Sequence, residues 1–202
     1  MRARSALQAS KQTVELREVD LKHKPPELLA ASAAATVPVL VLEGRVMDQS
    51  LDIMLWALGQ NDPLGWLPTA AEELAGAIQC IGENDGVFKP HLDRYKYPHR
   101  FGLQSGLEHR NAGAVFLEKI DRQLAQFNFL NGPRWGFLDA ALAPFIRQYA
   151  HTDMAWFNAQ NWVRLEQWLG AFEASPEFQA LMLKAPIWKA GDLPLLTAFS
   201  PS

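Results

Sequence analysis

The residues best placed to do chemistry lie between Thr36 and Leu58, TVPVLVLEGRVMDQSLDIMLWAL. Val39 to Leu42 reads as a short apolar strand, Glu43-Gly44-Arg45 turns it, and Val46-Met47 is the return strand. Ser50 to Leu58 is a helix with Gly59 at its C′ position. A helix that opens on Gln49-Ser50 leaves main-chain N–H groups pointing outward, where they can hold a carboxylate. Taken alone, Ser50 reads as an N-cap only. A second chemical stretch runs from Asn84 to Arg100, NDGVFKPHLDRYKYPHR. Asp85 falls on the apolar stripe of Leu74, Ile78, Ile81 and Phe88, where an acid needs a partner or a wet cleft. Two readings stand. Asn84, Asp85, Lys89, Tyr95 and Lys96 line a binding site, or the segment is a salt-bridged helix end with Asp85 paired to Arg94 or Lys89. Cys80, the one cysteine, lies mid-helix as a small hydrophobe and suits a reducing compartment. The five histidines show no metal-ligand spacing, so no metal is expected.

The elements that must position these residues follow from periodicity. Residues 2–11 favour helix, Thr13 to Val19 alternates as a half-buried strand, and Pro25-Pro26 opens a helix through Ala35. Asn61 to Pro68 carries two prolines and a glycine and reads as a linker. Beyond it the chain is helical throughout. Thr69 and Glu72 form a capping box, and Pro90 ends that first helix. Leu103 to Leu130 is a second long helix with Leu117, Ile120, Leu124 and Phe127 as its stripe. Gly136 to Ala150 is a buried helix bent at Pro144, and further helices follow over 161–174 and from Ser175-Pro176 to Lys184. The fold class is α/β plus all-α: a domain over 1–60, a linker over 61–68 and an all-helical domain over 69–202. The chain carries 19 basic and 22 acidic residues, so no basic field invites nucleic acid. No apolar run reaches the ~18 residues a membrane helix needs. Cytoplasm is the expected location.

The layout, with VPVL at Val37–Leu40, DQS at Asp48–Ser50 and GFLDAALAP at Gly136–Pro144, resembles the cytosolic glutathione S-transferases over nearly the whole chain. It is most similar to bacterial members near the omega-like, cysteine-type enzymes. The resemblance implies a thioredoxin-like domain that binds glutathione as co-substrate. Pro38 would be a cis-proline, Val37 would pair its main chain with the cysteinyl unit, and Gln49 and Ser50 would bind the γ-glutamyl end. Lys24 would face the glycyl carboxylate, and Asn84, Asp85, Lys89, Tyr95 and Lys96 would line the second-substrate site. Many relatives carry Glu at the position of Gln49. Gln keeps the hydrogen bonds and loses the charge attraction. Asp139 would close a capping box needed for folding, here headed by Gly136. A homodimer is expected by the same resemblance.

The opening MRARSALQ looks like the interior of the family's first helix. The first strand and the catalytic loop are therefore expected to be missing from this sequence, with no catalytic residue among those present. The thioredoxin-like domain is expected to be N-terminally truncated. The implied activity is glutathione conjugation or thiol transfer to a small hydrophobic electrophile or a disulfide. The alternative is a non-catalytic binding or scaffold protein of the same fold.

Overall fold

The computed structural model describes residues 1–200. Its elements are α1 (Arg2–Ala9), β1 (Val14–Glu15), α2 (Pro26–Ala31), β2 (Leu40–Leu42), β3 (Arg45–Met47), α3 (Ser50–Gln60), α4 (Ala71–Glu83), a π-helix (Asn84–Phe88), α5 (Lys89–Lys96), a 3₁₀ turn (Pro98–Phe101), α6 (Leu107–Gln123), α7 (Phe137–Ala150), α8 (Met154–Asn158), α9 (Val163–Ala174), α10 (Pro176–Leu181) and β4 (Leu196–Thr197). The chain divides into two compact units. One is Met1–Leu64 together with the chain from Ser175 on, and the other is Gly65–Ala174.

In the first unit α1 packs on α3 through small and apolar side chains, with Ala3, Ala6 and Leu7 buried on one and Ile53, Met54, Ala57 and Leu58 on the other. Met47, Leu40, Leu42 and Trp56 extend that core onto the hairpin. The strands form two separate pairs: β2 with β3, and β1 with β4, both antiparallel. Gly44 supplies the positive φ (71°) that the two-residue β2–β3 turn needs. The expected strand over 13–19 is therefore short, and its partner comes from the far end of the sequence. Leu16 N–H donates to Leu195 C=O at 2.8 Å and Trp188 N–H to Glu18 C=O at 2.8 Å. Arg4 holds the same segment from α1. It donates to Leu181 C=O (3.2 Å) and Leu183 C=O (3.1 Å), pairs with Glu18 (2.9 Å) and lies over the Phe199 ring.

That docking corrects the expected helical domain over 69–202, because residues from 175 on join the first unit. Ser175 caps α10 as expected, its Oγ accepting from Phe178 N–H. Two other boundaries differ. α3 runs through Gly59 and stops at the extended Asn61, so Gly59 is not a C′ residue. α4 starts after Ala70 with no side-chain cap, so Thr69 does not form the capping box.

The second unit is built around α7, most of whose residues are buried. Asp139, wholly buried, receives N–H donors from Leu130 (3.0 Å), Gly136 (3.0 Å) and the Trp168 indole (2.8 Å). The Gly136 contact is the capping box expected from sequence; the Trp168 contact is invisible there. Burial pushes the Asp139 carboxyl up to about 6, against the pull of those donors. Trp168 in turn stacks on Trp135. Leu117, Ile120 and Leu124 form the buried stripe of α6 and its C-terminus, whereas Phe127 lies beyond the helix and is half exposed.

Pro90 does not end the helix begun at α4. It sits in the first turn of α5, and the chain reaches it through one π-helical stretch. A proline lacks the N–H for an α-type bond to the residue four back, and wider π-turns occur where that ladder is interrupted. The buried positions are Ala77, Cys80, Ile81, Asn84 and Phe88, so Asn84 takes the interior position expected of Asp85, which is exposed.

Candidate functional site

The resemblance implies one site for Lys24, Val37, Pro38, Gln49 and Ser50, and all five belong to the first unit. The Val37–Pro38 bond is cis. Val37 is about half exposed (48%), at the entry to β2. β2 uses only one edge. Leu42 faces Arg45 across the turn and Leu40 faces Met47, so the main-chain groups of Val41 point away from β3. Val41 is correspondingly 61% exposed.

β3 ends at Met47, and the buried Met47 side chain anchors the approach to α3. Asp48 accepts from Ser32 Oγ (2.8 Å) and from Gln49 Nε2 (3.3 Å), which fixes the residue before the helix against α2. Gln49 is the extended N-cap residue (φ −105°, ψ 128°), Ser50 is the first helical residue, and no side chain caps the helix. The first intrahelical acceptor is Gln49 C=O, taken by Ile53 N–H at 3.1 Å. The N–H groups of the first turn thus have no side-chain acceptor from the N-cap. Ser50 is not the N-cap that its residue type alone suggested, which leaves its hydroxyl uncommitted to capping. The positive end of the helix dipole adds to the attraction for an anion.

Lys24 is exposed in the loop after β1. That loop is tied by Asp20, which accepts from Lys22 N–H (2.9 Å) and sits 2.7 Å from His23 Nδ1. Those bonds hold the Asp20 carboxyl below the usual carboxylate range, the His23 contact contributing most.

The residues expected to line a second site lie in the other unit and have diverse surroundings. Asn84 is fully buried, donates Nδ2 to Asp85 (2.8 Å) and leaves its Oδ1 without a hydrogen-bond partner. Lys89 pairs with Asp93 (2.6 Å). Neither Arg94 nor Lys89 is the partner found for Asp85 in that contact. Tyr95 is buried against Tyr149, and burial raises its phenol above the usual range, the Asp153 charge adding to this. Lys96 reaches Gln148 at 3.4 Å and lies over the Tyr97 ring. A groove of about 480 Å³ in the same unit is lined by residues such as Glu73, Ala77, Cys80, Lys119, Gln123 and Phe127. Sequence reasoning missed it because it joins α4 to the turn after α6. Cys80 is buried, and desolvation raises its thiol further above neutral. No group of three or more metal-ligating side chains occurs among the described residues, and none of the helices described is long and apolar enough to cross a membrane.

Residues 1–65 match the family model for the glutathione S-transferase N-terminal domain. No curated protein matches the chain. Among solved structures, glutathione S-transferase III in its apo form is 23% identical, with a TM-score of 0.71 over 92% of this chain and 93% of that one. Poplar glutathione transferase F1 is 18% identical (TM-score 0.75, 90% of each chain). A glutathione transferase family member from Pseudomonas fluorescens, solved with two glutathiones bound, is 18% identical (TM-score 0.75, 87% of this chain and 84% of that one). The fold is therefore that of the glutathione S-transferases, a thioredoxin-like N-terminal part followed by helices. Residues 1–65 thus carry the signature of that family's N-terminal domain, and the chain shares the family's fold.

Proposed function

We propose that this chain binds glutathione in its first unit and acts as a glutathione-dependent transferase or thiol transferase. The observation that carries the reading is the uncapped start of α3, in the same unit as the half-exposed Val37. Glutathione presents the complementary groups. Its γ-glutamyl carboxylate fits the α3 N–H groups and the Ser50 hydroxyl, and its cysteinyl main chain can pair with Val37 like a further strand. Gln49 would hold the γ-glutamyl end without a charge, and Lys24 the glycyl carboxylate. The Pseudomonas fluorescens structure with glutathione bound supports the choice of ligand.

The acceptor would be a small hydrophobic electrophile or a disulfide, met by residues of the second unit that include Asn84, Asp85, Lys89, Tyr95 and Lys96. Cys80 is unsuited to the thiol step, since a buried, hard-to-ionise thiol is a poor nucleophile. The second reading is a non-catalytic binding or scaffold protein of the same fold. The family resemblance favours a homodimer and a cytoplasmic setting.

Isothermal titration of the purified chain with glutathione tests the proposal. Binding that weakens about 10- to 150-fold in Ser50→Ala supports it, the ~1.5–3 kcal/mol of a hydrogen bond to a charged group. Equal affinity in wild type and variant, or no binding by a folded wild type, overturns it. Turnover with a chromogenic electrophile then separates the enzyme from the binding protein.

A further inference from the structure

His91 on α5 and His109 on α6 face each other with 2.9 Å between their Nδ1 atoms. The ring centroids are 5.2 Å apart, the separation two imidazoles reach when the facing nitrogens point straight at each other. Lone pairs aimed in that way share a proton and do not converge on a metal ion. One ring must donate Nδ1–H and the other accept, so the pair requires two different tautomers.

The helices are drawn together around this contact. Gly106 lies so close to α5 that a Cβ there would come within 2.5 Å of Tyr95 C=O. A Cβ on Gly113 would meet Tyr149 Cε2 at 2.9 Å and His91 Cβ at 3.7 Å. Gly106 is required by the approach of the two helices and Gly113 by the Tyr149 ring of α7, and the histidine pair lies between them along α6. The charged groups acting on His91 are Arg94 on its own helix and His109 and Glu108 on α6. From the π-helix and α7 the neighbours at Gly113 are the rings of Phe88 and Tyr149.

We propose that His91 and His109 form a one-proton latch between α5 and α6, closed by zero or one added proton and opened by two. In the neutral pair an N–H···N bond joins the helices. A first added proton charges one ring and strengthens that bond. A second puts two N–H donors nose to nose, with no acceptor between them and two like charges at contact. The opening would loosen α5, which carries Tyr95 and Lys96.

The sign agrees with the environment of His91. Desolvation first, then His109 and Arg94, hold it below its ordinary 6.5. The second proton is therefore the one that the unfolded chain takes up and the folded pair resists, and stability falls as the pH drops below 6.5. Asp139 titrates in the opposite direction but is common to wild type and variants, so it cancels in a difference.

Two measurements test the latch. Nitrogen-15 NMR of the wild-type imidazoles should show one of the pair as the Nδ1–H tautomer and the other with a bare Nδ1. Two Nε2–H rings titrating independently would overturn the proposal. Thermal melts from pH 7.5 to 5 should show wild type losing about 2–4 °C more than His91→Gln/His109→Gln, a double variant that keeps hydrogen-bonding capacity without the charge. Parallel pH profiles of the two would also overturn it. If the double variant does not fold, the tautomer measurement decides alone.

Discussion

Helices α3 and α7 begin in opposite ways. α7 closes its own start: Gly136 offers no side chain, and Asp139 reaches back to the Gly136 N–H while also collecting Leu130 and Trp168. The whole arrangement is buried. α3 begins on Gln49 with no side-chain cap, in the same unit as the exposed Val37 and Val41. A helix start that satisfies itself specifies the fold. One left open keeps its donors for something that arrives from outside.

The largest effect should come from breaking the closed start. Asp139→Ala strands three donors, each costing ~1–3 kcal/mol when buried, so a total of about 3–5 kcal/mol is expected in urea unfolding after partial relaxation. That is a large part of the ~5–15 kcal/mol a domain commands. The pH profile carries the same signature. Asp139 holds its proton more tightly folded (about 6) than at its ordinary 3.8. Its contribution is therefore greatest below 3.8 and is lost as the pH rises through about 6. Asp139→Asn should remove that slope in thermal melts.

Next comes the open start. Ser50→Ala should weaken glutathione binding as given above yet change stability by less than ~0.5 kcal/mol, since no cap is lost. A matching loss of stability would show that α3 is closed after all. Gln49→Asn would sharpen the contrast by adding an N-cap acceptor. About 0.5–1 kcal/mol of added stability is expected, with weaker glutathione binding, because the new side chain competes for the same N–H groups. The smallest change is Gly136→Ser, worth a few tenths of a kcal/mol in unfolding experiments, since a Cβ there makes only ordinary contacts, the nearest with Trp66 C=O at 3.5 Å.

What could be read from the sequence is what local chemistry decides. The β2–β3 hairpin around Gly44, the buried α7 with its Gly136–Asp139 box, and the Ser175 cap all depend on residues a few positions apart. What escaped depends on distant partners or on a one-position offset in a buried stripe. The buried stripe begun on α4 runs through Ala77, Ile81, Asn84 and Phe88, one position off the expected one, so Asn84 is buried in place of Asp85, and a π-stretch carries the chain on to Pro90. Trp168 reaches Asp139 from another helix, and β1 finds its partner near the end of the chain. Val37, Pro38, Gln49 and Ser50 were nameable because they lie close in sequence, around one hairpin and the start of one helix, whereas Lys24 lies in a separate loop. The five residues assigned to the second substrate, spread over a π-helix and α5, were not resolved by pattern into one cluster.

The grip of Arg4 on Leu181, 177 positions away, has a consequence for synthesis. At ~5–20 residues per second, a ribosome delivers that acceptor roughly 10–35 s after Arg4 itself. β1 and the Arg4 side chain must wait through that interval with their far partners unmade. A fusion that tethers or delays the tail should therefore lower the yield of correctly assembled first unit, while leaving the helices from Gly65 to Ala174 free to fold as they emerge.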